Sequence, residues 1–138
     1  DTDLELALKT VFEDYPDAAV TVYGAFGGRL DHFLSNIFLP TDPDLAPYME
    51  QIQLVDEQNR LVFRPAGSHE IQPDPTMTYV GFMPVGEGRL EITGAKYPLH
   101  SENYFPKAMY GSNEFLDQAI QVSLDRGYLV IVYSKDRG

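Results

Sequence analysis

The chain has 138 residues and 43% of them are hydrophobic, so it can bury a core as one domain or as one domain with part of another. Its net charge of −11 at pH 7 argues against binding to nucleic acids and to anionic membrane surfaces. It has no cysteine, which excludes disulfides, thiolate catalysis and cysteine-based zinc sites. Neither a membrane span nor a secretory signal is evident, and we expect a cytoplasmic protein.

The first elements have the pattern of an α/β unit. Residues 2–15 predict a helix, because Thr2 and Glu5 have capping-box spacing and apolar residues recur every three or four positions. A short apolar run at 18–26, rich in β-type residues, predicts a buried strand of a parallel sheet.

A tight turn and a second helix follow this strand. Gly27 and Gly28 end the strand, and residues 29–39 predict a helix whose apolar and polar side chains lie on separate faces. Helix, strand, turn and helix in this order indicate the end of an α/β domain. One strand with two helices is not a stable unit, so we expect residues upstream of this chain to complete the sheet.

Short β-type runs separated by turn residues make up the remainder and predict an all-β sandwich. The tripeptides 86–88 and 125–127 each suit a hairpin connection. We therefore predict two domains: residues 1–56, the C-terminal part of an α/β domain, and residues 57–138, a β-sandwich. The predicted strands are 51–56, 61–64, 70–72, 78–85, 89–93, 120–124 and 128–133.

The Gly-Gly turn carries the strongest candidate site. Glycines between a strand and a helix allow a ligand to approach the backbone, and the helix start offers unpaired N–H groups to an anion. Arg29 can bind a phosphate through paired hydrogen bonds, while Asp31 and His32 can orient a substrate or a metal-bound water. A tight turn beside a solvated helix face is the alternative. The addition of Asn36 to the same polar face favours a site.

Two weaker groups lie elsewhere. Asp1 and Asp3 flank Thr2 at the first helix start, where carboxylates complement the helix dipole or supply oxygen ligands for magnesium. Ser112 and Asn113 form an ordinary turn or recognise the polar edge of a heterocycle. The residues alone favour the dipole role for the first group and do not decide between the roles of the second.

Taken in this order, the groups resemble the thiamine pyrophosphokinase family. The family carries an Asp-x-Thr-Asp-type segment before a helix, a GGRxDHxLxN block after a strand, and Ser-Asn-Glu before the last strands. The matching segments here are DTDLELALK at 1–9, GGRLDHFLSN at 27–36 and SNE at 112–114. LEITGAKYPL at 90–99 also matches a β segment of the family. The resemblance spans the whole chain, and the GGRxDH block is its most specific part.

This resemblance implies an α/β/α domain followed by a β-sandwich, assembled as a homodimer with thiamine at the interface. It also implies transfer of the terminal diphosphate of ATP to the hydroxyl group of thiamine, which gives thiamine diphosphate and AMP. Mg²⁺ would bridge the phosphates. The family places further acidic ligands upstream of this segment, so we expect this chain to be weakly active or inactive by itself.

The resemblance implies roles for individual residues as well. No nucleophilic side chain is expected, because the hydroxyl group of thiamine attacks directly. The implied residues are Asp31 and Arg29 for catalysis; Thr2, Asp3, Gly27, Gly28 and Arg29 for ATP; Asp31, His32, Ser112 and Asn113 for thiamine; and Asp1 and Asp3 for the metal.

Two other classes of function stay open at this point. One is a non-catalytic β-sandwich module that binds a small ligand or a protein partner. The other is a different nucleotide-dependent kinase that uses the same Gly-Gly turn. Thiamine binding distinguishes the enzyme from the module, and release of AMP instead of ADP distinguishes it from a kinase that transfers one phosphate.

Overall fold

The computed structural model describes residues 1–137, which form a seven-stranded mixed β-sheet with two α-helices. Gly138, the last residue of the second predicted domain, lies outside the described residues. None of the helices within 1–137 is long and apolar enough to cross a membrane. The elements are α1 (Asp3–Asp14), β1 (Val20–Tyr23), α2 (Leu30–Ile37), β2 (Ile52–Val55), β3 (Asn59–Ile71), β4 (Tyr79–Val85), β5 (Leu90–Thr93), β6 (Tyr110–Asn113) and β7 (Ile120–Ser134), with short 3₁₀ helices at Leu39–Thr41, Ala46–Gln51 and Ser101–Asn103.

Helix α1 begins with the predicted capping box. The Glu5 N–H donates to the Thr2 hydroxyl, and the Thr2 N–H donates to the Glu5 carboxylate, each at 3.2 Å. Leu8 and Phe12 are buried, and the Phe12 ring stacks on Tyr48 with centroids 4.5 Å apart. These apolar contacts hold α1 against one face of the sheet.

Strand β1 is an edge of the sheet and pairs in parallel with β2. Both strands are shorter than predicted, and β1 covers only the centre of the apolar run at 18–26. The Gly-Gly turn follows, and Gly28 adopts a φ of +81°, which side-chain-bearing residues rarely adopt. The apolar and polar side chains of helix α2 lie on separate faces, as predicted. However, Leu30 and Leu34 on the apolar face are exposed, whereas Asn36 on the polar face is buried.

The predicted strand pattern is wrong at β3 and β7, which are long strands. Each replaces two predicted short strands, and they pair antiparallel along nearly their whole length, from Asn59 opposite Ser134 to Ile71 opposite Ile120. Residues 125–127, predicted as a hairpin connection, are an irregularity inside β7 instead. Local turn residues therefore bend a continuous strand here and do not reverse it.

The second predicted hairpin connection is also wrong. Residues 86–88 join β4 to β5, and both of these strands pair antiparallel with β7 and not with each other. Strand β6 was not predicted, because Gly111, Ser112 and Asn113 are typical turn formers. Its pairing with β4 places these residues at the far edge of the sheet.

Two apolar cores pack against this sheet. Alternate residues of β3 and β7 contribute to each core: Leu61 and Phe63 face one, and Val62 faces the other. The core that Val62 faces also contains residues from the other ends of both strands, near Ile71 and Ile120. Such a core is expected when a sheet folds over on itself, and it is consistent with a sandwich. The sheet continues across the predicted boundary near residue 56, because β2 pairs with β3.

Candidate functional site

The first cavity lies where the start of α1 meets the end of β1, and its volume is about 570 Å³. Three separate stretches of the chain contribute to its lining, so the fold brings together residues that the sequence places far apart. Among its lining residues are Asp1, Thr2, Asp3, Gly27, His32 and Asn36. The cavity therefore contains members of both predicted groups from the N-terminal region.

Arg29 and Asp31 lie outside this lining. Their side chains are 72% and 60% exposed and bind each other, with Arg29 Nε 3.1 Å and Nη2 2.5 Å from the two Asp31 oxygens. Asp31 Oδ1 also accepts a hydrogen bond from the His32 N–H at 3.0 Å. Gly28 is not part of the lining either. An anion approaching this helix start would compete with Asp31 for the guanidinium group.

Asn36 anchors α2 beside the first cavity. Its side-chain amide donates to the carbonyl oxygen of Ala25 at 3.2 Å, which ties the segment before the Gly-Gly turn to the helix. At the next residue, also at the C-terminal end of α2, the Tyr128 hydroxyl donates to the Ile37 carbonyl oxygen at 3.2 Å. Burial raises the pKa of Tyr128 to about 12, so this hydroxyl stays protonated at neutral pH. Both contacts hold α2 in place.

An acidic cluster lies close to the first cavity. Carboxylate oxygens of Asp1, Glu5 and Asp42 fall within 4.8 Å of one another. The Lys9 ammonium is 2.7 Å from both Asp1 and Asp42 and 3.7 Å from Asp44. Asp3, predicted as a metal ligand, is not in this group, whereas Glu5 and Asp42 were not predicted. Only the folded chain brings Asp42 to the start of α1.

Lys9 and Asp42 shift each other's pKa within this cluster. The hydrogen bond from Lys9 lowers the pKa of Asp42, with help from the backbone N–H of Asp44, and the same pair raises the pKa of Lys9. Because the pKa of Asp42 is lower in the folded chain than in the unfolded chain, the pair stabilises the fold above the unfolded pKa of Asp42, and this stabilisation is lost as pH falls through the folded pKa. Because the pKa of Lys9 is higher in the folded chain, the pair stabilises the fold below the unfolded pKa of Lys9, and this stabilisation is lost as pH rises through the folded pKa.

We therefore expect Lys9→Met to lower the melting temperature at pH 7, because the cluster loses its cation. The difference from the unsubstituted chain should shrink below about pH 3.9, where unfolded aspartates are protonated. Thermal unfolding between pH 2 and pH 8 measures this, with substitution of the exposed Lys107 by Met as the control. A difference that is equally large at the lowest pH would contradict the ion-pair explanation.

The second cavity lies between the loop after β5 and strand β6, and its volume is about 450 Å³. Its walls are mostly apolar and include three aromatic side chains. The lining contains Lys96, Tyr97, Leu99, Phe105, Tyr110 and Asn113. Aromatic side chains at such a cavity can stack on a planar ring.

Tyr110 is the most constrained of these aromatic residues. Its hydroxyl donates to the Phe105 carbonyl oxygen at 2.6 Å, and the two rings lie 5.4 Å apart. Burial, followed by the neighbouring Tyr104 hydroxyl, raises the pKa of Tyr110. Tyr97 and Phe105 are about half exposed, so their rings are accessible at the cavity. A flat, partly apolar ligand suits such walls.

The Ser112–Asn113 pair separates into two environments. Asn113 is buried and lines the second cavity, whereas Ser112 is exposed, has a φ of +58° and is not part of the lining. The first cavity contains none of these residues. The structure thus places three of the predicted nucleotide residues, Thr2, Asp3 and Gly27, and the predicted Asn113 in different cavities of one chain.

Three comparisons with known proteins agree on the family. The sequence model described as "Thiamin pyrophosphokinase, vitamin B1 binding domain" matches residues 68–129, a range that contains every residue named above for the second cavity. Thiamine pyrophosphokinase from Bacillus subtilis is 35% identical, and the match covers 98% of this chain. The chain spans 63% of the length of that relative.

Solved structures match over the same extent. A thiamin pyrophosphokinase family protein from Enterococcus faecalis is 35% identical with a TM-score of 0.89, covering 99% of this chain and 65% of that one. Thiamine pyrophosphokinase from Bacillus subtilis superposes with a TM-score of 0.79 at 34% identity, covering 99% of this chain and 64% of that one. Nearly the whole of this chain, with its two cavities, is thus contained in the matched regions, and the chain is similar to part of the proteins named thiamine pyrophosphokinase.

Proposed function

We propose that this protein is a thiamine pyrophosphokinase, which transfers diphosphate from ATP to the hydroxyl group of thiamine and releases AMP. One observation carries the proposal: an aromatic-lined cavity of about 450 Å³ lies inside the residues that match the vitamin B1 binding domain. A heteroaromatic vitamin suits walls formed by Tyr97, Phe105 and Tyr110. We expect the reaction to take place in the cytoplasm.

The two cavities support a division of labour between residues 1–56 and 57–138. The first cavity would bind the ATP phosphates through Thr2, Asp3, Gly27 and the start of α2. The second would bind thiamine. The half-exposed apolar side chains beside the second cavity favour a homodimer that brings it to the first cavity of the partner chain.

In the proposed reaction the thiamine hydroxyl oxygen bonds to the β-phosphorus of ATP, and the bond from that phosphorus to the oxygen it shares with the α-phosphate breaks. Arg29 would leave Asp31 to hold the transferred phosphates, which frees the Asp31 carboxylate to accept the hydroxyl proton. The short contact between the two residues already sets them side by side at the helix start. His32 and Ser112 would help to orient thiamine.

Carboxylates are suitable ligands for Mg²⁺, and Asp1, Glu5 and Asp42 can direct oxygens to one point. The donor set therefore fits the ion, and Asp3 lines the adjacent cavity. Lys9 pairs with Asp1 and Asp42 and would compete with the ion for them. Asp1, Glu5 and Asp42 would hold Mg²⁺, which would supply positive charge to offset that of the phosphates.

Thiamine titration by calorimetry tests the proposal. We expect saturable binding, and we expect a protein extended to the length of its relatives to release AMP only when thiamine, ATP and Mg²⁺ are all present. Release of ADP would indicate transfer of a single phosphate and would contradict the proposal. Absence of thiamine binding at millimolar ligand by folded protein would also contradict it.

Asp31→Ala is expected to reduce thiamine-dependent AMP release by about 100-fold or more, because the variant lacks the proposed proton acceptor. The Asp31 side chain is mostly exposed, so stability should change little. The assay uses the extended protein with thermal unfolding measured in parallel, and substitution of the exposed Asp17 by Ala is the matched control. Unchanged turnover in Asp31→Ala would remove this residue from the catalytic machinery.

A non-catalytic β-sandwich module that binds a small ligand or a protein partner is the alternative function. It is favoured by the mutual pairing of Arg29 and Asp31 outside the first cavity, which leaves neither side chain free for a substrate. Folded extended protein that neither binds thiamine nor releases AMP would support it.

A further inference from the structure

Asn113 is almost completely buried at 4% exposure, and its side-chain amide bonds backbone groups. Its Oδ1 accepts hydrogen bonds from the Tyr97 N–H at 2.9 Å and from the Glu114 N–H at 3.0 Å. Its Nδ2 donates to the Tyr97 carbonyl oxygen at 2.9 Å. Asn113 thus binds both backbone groups of Tyr97, as a neighbouring strand would.

These bonds leave Asn113 little capacity for a ligand. Both acceptor positions of its oxygen are used, and a single N–H remains on a nearly inaccessible side chain. A ligand that took over the amide would leave the Tyr97 backbone groups without their partners at a partly buried site. Asn113 therefore contributes to the second cavity chiefly by holding another residue in place.

Asn113 holds the backbone of Tyr97 in place. Tyr97 is 56% exposed and lines the second cavity. Its neighbour Lys96 donates a backbone hydrogen bond to the Glu114 carbonyl oxygen at 3.0 Å, and the two side chains form an ion pair at 3.0 Å. Ala95 makes an isolated β-bridge to Phe115. Consecutive bonds thus fix residues 95–97 to residues 113–115.

We propose that Tyr97 is a specificity-determining aromatic wall for the planar ring of thiamine and that Asn113 is the residue that positions it. This inference rests on the proposed function for the identity of the ligand, while the clamp rests on the hydrogen bonds alone. The Tyr97 ring stacks on the pyrimidine, and Asn113 restricts the ring to the cavity side by fixing its backbone. Asn113 therefore acts through Tyr97 and not by direct contact.

Hydrogen exchange tests the clamp without any ligand. In Asn113→Ala the Tyr97 amide should exchange at least about tenfold faster, since it has lost its acceptor. Asn113→Asp keeps that acceptor and should keep most of the protection. The amides of Ile92 and Leu99, which bond each other's carbonyl oxygens, are the internal controls and should not change. Equal exchange of the Tyr97 amide in all three proteins would overturn the clamp.

A double-mutant cycle on thiamine affinity tests the positioning role. Tyr97→Ala should weaken binding about tenfold or more, and Tyr97→Phe should bind nearly normally, because stacking needs the ring. Asn113→Ala should also weaken binding, yet cost less than about twofold when Tyr97 is already Ala. Asn59→Ala, an amide outside the cavity lining, is the control and should not alter affinity.

The outcomes test the positioning role of Asn113 separately from the specificity role of Tyr97. If Asn113→Ala costs the same factor with or without the Tyr97 ring, Asn113 contacts thiamine directly and the positioning role is wrong. If Tyr97→Ala binds thiamine normally, Tyr97 is not a specificity wall. If the unsubstituted protein does not bind thiamine, the proposed function fails and so does the assignment of the wall, while Tyr97 exchange still decides the clamp.

Discussion

Gly127→Ala is expected to destabilise the protein by about 3 kcal/mol, which corresponds to a melting temperature lower by about 10 °C. Gly127 has a φ of +81°, and a Cβ at this position would overlap the carbonyl oxygen of Val85. Neither atom can move freely, because Val85 is paired with β7 at Tyr128. Strain and overlap therefore act together at the irregularity of β7.

Chemical denaturation of Gly127→Ala and Gly27→Ala measures this effect against a matched control. Gly27 has no heavy atom within 4 Å of an added Cβ and no left-handed φ, so its substitution should change stability by less than about 0.5 kcal/mol. Equal stability losses in the two variants would show that the β7 irregularity relaxes around a side chain.

Phe82→Ala is expected to lower the free energy of unfolding by about 3–5 kcal/mol, because Phe82 is fully buried in the core that contains Val62. We also expect one cooperative transition, since β3 and β7 supply residues to both cores. Phe63→Ala in the other core should have a similar effect. Phe38, which is exposed, provides the control substitution.

Urea unfolding followed by both far-ultraviolet circular dichroism and tyrosine fluorescence measures these losses. The two probes should report the same midpoint for each variant. Separate midpoints in Phe82→Ala would show that the two cores unfold independently and would contradict a single cooperative transition.

Local patterns predicted the helical start of the fold. The capping box at Thr2 and the glycines before α2 are short-range features, and both elements begin where the sequence indicates. The strands were harder to predict, because residues 125–127 have turn composition but lie in a strand that is paired on both sides. Neighbouring strands stabilise an irregular segment that would reverse the chain by itself.

The candidate site was predictable only where one segment carries it. The grouping of Asp1, Thr2 and Asp3 with Gly27 requires packing that periodicity does not describe. The role of Asn113 was equally hard to predict, since Ser-Asn-Glu has turn composition and its partner Tyr97 lies in the loop after β5. Contacts between distant residues, and not residue types, decide both arrangements.

Strand β7 also has a consequence for folding during synthesis. It lies between β3 on one side and β4 and β5 on the other, so the interior of the sheet is incomplete until residues 120–134 leave the ribosome. Until then, the edges of the earlier strands are unprotected and can pair with other nascent chains. A chaperone that shields these edges during translation would therefore increase the yield of native protein.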